Sequence, residues 1–220
     1  MKKIILVGLI LISFCSVHSK QDSTLMVYKH SESKEMKLLY ELLGVQYESI
    51  SFSDTNIRDK KIFLSIDEYE KGKIIRTDSL NLSERVDTIP TVMPNGDTMI
   101  YILDNASKVM FSKYLNEYNI DFMGKFDKDT MLLLLNFPKI RMTTKLRCNN
   151  MYMIRPANPC GESDTVVIGL NKSVPIFSFN PPFKIGENAG NYCIVATKDP
   201  KDWYKEYKIE HYYMFNILIK

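Results

Sequence analysis

Between Lys61 and Leu82 the side chains alternate, apolar then polar, and the alternation reverses at a glycine. Ile62, Leu64 and Ile66 fall on one face and Phe63, Ser65 and Asp67 on the other. That is the period of a half-buried strand. Lys71-Gly72 marks a tight turn, because glycine reaches positive φ without a steric penalty, and Ile74 to Leu80 returns beside the first strand. The same strand, turn, strand rhythm recurs to the end of the chain. It predicts Thr24 to Tyr28, Val45 to Phe52, Thr98 to Leu103, Ile140 to Arg147, Met151 to Arg155, Thr165 to Leu170, Val174 to Phe179 and Tyr192 to Thr197 as strands. Met131 to Phe137 is a continuous apolar run of the length of a buried strand. Cys148-Asn149-Asn150 reads as a hairpin turn between its neighbours, since asparagine tolerates left-handed geometry. The closing segment places Tyr207, Ile209, His211, Tyr213, Phe215, Ile217 and Ile219 on one face, the face expected to be buried.

Two stretches keep a helical period instead. Met36, Leu39, Tyr40 and Leu43 recur at i, i+3, i+4 and i+7 after a capping Ser31 or Ser33, and Gly44 stands where a helix ends. Asp104 or Asn105 caps a second predicted helix, Ser107 to Tyr118. Near Asn119 to Asp129 the apolar signal thins, which sets a boundary between an N-terminal α+β domain (20–120) and a C-terminal β-sandwich-like domain (121–220). The expected fold is mainly β, with two helices in the N-terminal half. Its sheets are antiparallel and sandwich-like, and they form either one large domain or two small ones.

The first nineteen residues are set apart from the fold. Met1-Lys2-Lys3 is a charged leader, Ile4 to Phe14 an apolar run, and Val17-His18-Ser19 fits cleavage after Ser19, the pattern of a signal peptide. A rival reading cleaves before Cys15 and lipidates it, although Phe14 is bulky for that position. Either way the chain is expected to be exported, as a periplasmic, secreted or cell-surface protein, with no membrane-spanning segment. The 220 residues are 45% hydrophobic with a net charge of +3, and no basic run exceeds a Lys-Lys pair, so nucleic acid is not an expected partner.

Chemistry is sparse. Outside the leader stand Cys148, Cys160 and Cys193; a Cys148–Cys160 disulfide closes the shortest loop and is the favoured pairing in an oxidising compartment. The mature histidines are His30 and His211. His211 lies on the apolar face of the last strand, so it reads as a core histidine with a satisfied partner, the rival being a Cys193–His211 pair. No HExxH, GxSxG, P-loop or calcium-loop motif occurs, and neither a cofactor nor a metal is expected. Asp67, Glu68 and Glu70 among Lys60, Lys61, Lys71 and Lys73 read as cross-strand pairing and edge protection; a glycosidase carboxylate pair is the sharper alternative. Trp203, the only tryptophan, lies in a polar turn beside Tyr204; it either stacks on a sugar or anchors a partner, or folds back on the core. Phe183, after Pro181-Pro182, admits the same two readings. Six Asp-Ser/Thr tripeptides resemble the acceptor motif of a bacterial periplasmic O-glycosylation system. Ser23, Ser79 and Thr88 are the candidate acceptors, against a plain reading in which Asp ends a turn and Ser or Thr opens a strand.

The opening stretch Leu25 to Phe52 resembles the first β-α-β unit of thioredoxins and glutaredoxins, and Thr88-Ile89-Pro90-Thr91 their cis-proline loop. The redox CxxC is replaced by Ser31-Glu32-Ser33-Lys34. The resemblance implies a redox-inactive relative. The chain as a whole, with its leading helix, EYEKGK hairpin and tyrosine-rich last strand, also resembles an uncharacterised family of exported proteins from host-associated bacteria, which implies no activity. The function expected from the sequence is an exported, non-catalytic binding or structural module of unknown ligand, a glycan and an envelope protein being the candidate partners. The alternatives are a glycan- or peptide-directed hydrolase and a redox-inactive thioredoxin-like protein.

Overall fold

The computed structural model describes residues 23–29, 33–53, 55–80, 86–104, 116–157, 164–185, 188–190 and 199–220. The signal-like segment, Cys15, His30, Cys160, Cys193, the predicted strand 192–197 and most of the predicted helix 107–118 lie outside them. The described chain is mainly β. Its strands are β1 (Ser23–Lys29), β2 (Val45–Phe52), β3 (Ile62–Glu70), β4 (Lys73–Leu80), β5 (Val86–Val92), β6 (Thr98–Asp104), β7 (Tyr118–Asp127), β8 (Thr130–Asn136), β9 (Arg141–Arg147), β10 (Met153–Pro156), β11 (Thr165–Gly169), β12 (Val174–Asn180), β13 (Phe183–Ile185), β14 (Asn188–Gly190) and β15 (His211–Ile219). Two short helices, α1 (Lys34–Leu42) and α2 (Trp203–Tyr207), accompany them.

Two antiparallel sheets carry the architecture. One has the order β11-β1-β2-β7-β8-β9 and the other β10-β12-β15-β3-β4; β5-β6 and β13-β14 are separate hairpins. Each sheet draws strands from both sides of residue 120, which itself lies inside β7. The segment 119–129, expected to be a boundary, holds most of β7 and the turn after it. Tyr118, Ile120 and Phe122 are buried in alternation, and Gly124 lets the chain pass Met131, whose sulfur occupies the space a Cβ would take. Buried residues of both sheets form one core, including Met26, Ile50, Phe122 and Leu133 from the first and Leu64, Ile66, Phe177 and Phe215 from the second. Phe122 meets Phe177 and Phe215 edge-on, with centroids 4.7 and 5.8 Å apart, and the Tyr28 hydroxyl donates to the carbonyl of Ile176. Edge-on aromatic contacts add to the burial itself.

The β3-β4 hairpin forms as its alternation predicts. Ile62, Leu64 and Ile66 are buried, and Lys71 and Gly72 take φ of 49° and 77° in the turn. Gly72 also lies against the backbone carbonyl of Lys201, so both its conformation and its surroundings exclude a side chain. Cys148-Asn149-Asn150 is not a hairpin. β9 pairs with β8 in one sheet and β10 with β12 in the other, so the segment carries the chain from layer to layer. The β8 run is buried on one face only: Met131, Leu133 and Leu135 are inside and Leu132 is exposed. β1 and β2 pair antiparallel, whereas a thioredoxin-like β-α-β crossover joins parallel strands; Ile89-Pro90 is a trans peptide within β5.

Helix α1 forms where its caps predict, with Ser33 accepting from the Met36 amide and Gly44 at φ 64°. Of its apolar stripe, only Tyr40 faces the body. No α1 residue is buried, and Met36, Leu38, Leu39, Leu42 and Leu43 are all exposed, Leu42 at 83%. The helix touches the body through Tyr40, stacked on Tyr47 of β2 at 5.2 Å.

Candidate functional site

The closing strand is buried on both faces along its first half. Tyr213, Phe215, Ile217 and Ile219 enter the main core, while Tyr212 and Met214 enter a second cluster with Tyr69, Phe183, Trp203 and Ile209. Trp203 is 0% exposed and lies 4.8 Å from Tyr212, which is stacked on Tyr69 at the same distance. Of the two readings of Trp203, the one in which it folds back on the core is the one the structure shows, and the indole offers no face to a sugar or a partner. The polar turn around Asp199 winds into a 3-10 turn capped by that aspartate and then into α2, whose first residue drops beneath the sheet. Phe183 is buried beside Tyr207, and Tyr204 is half-buried.

Register brings three polar residues together at the rim of the main core. Glu68 continues the inward parity of Ile62, Leu64 and Ile66, and Tyr213 is its direct partner on β15. His211, two residues earlier, shares the face of Tyr213 and so becomes the diagonal neighbour of Glu68. His211 Nε2 lies 2.8 Å from Glu68 Oε1, and the Tyr213 hydroxyl donates to the same oxygen at 3.1 Å. Tyr152, on the layer-to-layer connection, places its hydroxyl 3.0 Å from His211 Nδ1 and 3.0 Å from the His211 carbonyl oxygen. Arg147, at the end of β9, holds Tyr213 through its backbone N–H and carbonyl, and its guanidinium stands 3.7 Å from Glu68. Gln46 fixes the connection by donating to the Tyr152 carbonyl and accepting from the Ile154 amide.

This network borders a groove of about 520 Å³ lined by Tyr152, His211, Pro181, Pro182, Phe183 and Tyr207, with Asn149 and the segment Glu206 to Glu210 completing it. That volume falls in the range of small-ligand sites, about 300–1,000 Å³. Burial, reinforced by the neighbouring Cys148 and Glu68 and opposed by Arg147, pushes the Tyr152 phenol up to about 12. Burial, with Glu68 adding to it, raises that of Tyr213 as well. Neither phenol ionises near neutrality, so each acts as a hydrogen-bond group.

Cys148 is a buried free thiol, and Cys160, its expected disulfide partner, lies outside the described residues. Burial and Asp129 push the Cys148 thiol up to about 11. No group of three or more His, Cys, Asp or Glu residues able to hold a metal ion occurs among the described residues. Of the candidate glycan acceptors, Ser79 is exposed on the edge strand β4, Ser23 is half-buried at the start of β1, and Thr88 lies in β5. Of the carboxylates near the hairpin, Asp67 accepts from Thr77 and Asn216 on the outer face.

Sequence reasoning missed the Glu68–His211 pair. The signal was present as parity: Glu68 is an acid on the apolar face of β3, and His211 an imidazole on the apolar face of β15. The chain matches no family model, no curated protein and no solved structure.

Proposed function

We propose that this chain is an exported, non-catalytic binding module, a sandwich of two antiparallel sheets that takes a ring-shaped, polyhydroxylated ligand in the groove beside His211. The observation carrying this reading is that both ring nitrogens of His211 already have protein partners, Glu68 at 2.8 Å and Tyr152 at 3.0 Å. A hydrolase working through this histidine needs one nitrogen on a nucleophile or a water, and here that position is taken by the Tyr152 phenol, which burial holds protonated. The nearby thiol and phenol are pushed away from nucleophilic ionisation, which supports the same reading.

The lining supports the ligand class. Pro182 and Tyr207 offer flat apolar surface for the C–H faces of a sugar, and Asn149, Glu206 and Glu210 offer polar groups for its hydroxyls. Export is supported by the charged leader and the apolar run Ile4 to Phe14. Calorimetric titration of residues 20–220 with mono- and disaccharides tests the reading. Saturable binding that weakens at least tenfold in Tyr207→Ala, with unfolding midpoints little changed, is the expected result. Absence of binding across the panel, or equal binding by the variant, contradicts it.

A further inference from the structure

The sheets end on one side in two edge strands, β4 and β9, and a second cavity of about 280 Å³ opens between them. Its lining includes Ile66 and Leu146 together with Arg76, Lys145 and Arg147, the acids Glu68 and Asp78, and Tyr213. The cations outnumber the acids. Arg76 is taken by Asp78 in a two-pronged pair, Nε to Oδ1 at 2.8 Å and the terminal nitrogen to Oδ2 at 2.7 Å. Glu68 is engaged by His211 and Tyr213, and Arg147 reaches it only at 3.7 Å. Lys145 is exposed and forms no ion pair among the described residues.

Arg147 therefore keeps most of its donor fork, and Lys145 all of its charge, at the mouth of a cleft with an apolar floor. A guanidinium fork and an ammonium on alternate residues of one strand match an oxyanion. Arg76, anchored by Asp78, adds a third positive group on the opposite edge.

We propose that this cleft is an oxyanion site, with Arg147 and Lys145 as the binding groups. The ligand is a phosphate, a sulfate or a carboxylate, free or carried on an acidic saccharide. The site is separate from the groove beside His211, and neither Lys145 nor Arg147 lines that groove.

Residues 20–220 are titrated with inorganic phosphate, inorganic sulfate, acetate and glucuronate, with sodium chloride holding ionic strength constant. Binding is followed through the Arg147 side-chain N–H resonances and the melting temperature. Saturable movement of those resonances with a rise in melting temperature is expected, weakened at least tenfold in Lys145→Ala. Lys205→Ala, on the far helix, serves as the unchanged control. Preference for phosphate and sulfate identifies a free tetrahedral anion; preference for glucuronate over acetate identifies an acidic sugar. A response that sodium chloride reproduces, or one undiminished in both Lys145→Ala and Arg147→Gln, overturns the proposal.

Discussion

His211 and Glu68 meet across two adjacent strands, imidazole Nε2 to carboxylate oxygen at 2.8 Å, with their side chains only 14% and 12% exposed. A polar pair so far from water is sensitive to the loss of either member, because the survivor keeps its desolvation without its partner. Glu68→Gln is expected to lower stability by about 1–3 kcal/mol in urea unfolding, since His211, Tyr213 and Arg147 all face that oxygen. With His211→Gln, the double-mutant cycle should give a coupling above about 0.5 kcal/mol. Strictly additive losses would mean that the contact carries no energy.

Trp203→Ala should remove about 3–5 kcal/mol, as for other fully buried large aromatics. The indole is enclosed by its cluster, and Tyr212 would lose its packing partner along with it. Denaturant midpoints measure the loss. Acrylamide quenching of this single tryptophan gives an independent check, with little quenching expected before unfolding. Wild-type stability in the variant would place the indole at the surface after all.

Leu42→Glu should change stability by less than about 0.5 kcal/mol, because a side chain 83% exposed loses no buried contact. The same result is expected for Leu38→Glu. A loss of several kcal/mol, read from thermal unfolding, would show that the leucine face of α1 packs inward.

Alkaline pH should destabilise the chain. Burial pushes Cys148 up to about 11 and Tyr47, Tyr69 and Tyr152 to about 12. In the unfolded chain such groups lose their protons near about 8.5 for cysteine and 10 for tyrosine. Between those limits the native state holds more protons than the unfolded state. The stabilisation is therefore whole below about pH 8.5 and falls as pH rises towards about 12. Urea midpoints from pH 7 to 11 should decline, and Cys148 should resist alkylation at pH 8 until the chain unfolds. Rapid labelling of the native chain at pH 8 would contradict this.

Local patterns were legible wherever one strand face is buried and a turn has its own chemistry. The Ile62, Leu64, Ile66 alternation and Lys71-Gly72 specify the central hairpin, though not the register shift at Glu68-Tyr69, and Ser33 and Gly44 bracket α1. Partners in space were not legible. Asn149-Asn150 fits a hairpin turn as well as a change of layer, and only the distant pairing of β10 with β12 decides between them. The leucines of α1 satisfy a helical period without saying which way the face turns. Strand β7 was obscured because Gly124 and its charged neighbours dilute an alternation that begins at Tyr118. The site depends on a register 143 residues apart in the chain, which no local pattern contains.

The groove reading is tested most directly by one NMR experiment on residues 20–220, in which the His211 ring and the added saccharide are observed in the same tube. The reading predicts that the ring resonances shift saturably with saccharide, that Glu68→Gln alters the shift, and that the saccharide is recovered intact. Release of cleaved sugar at a rate abolished by His211→Ala would contradict it, as would ring resonances indifferent to every saccharide.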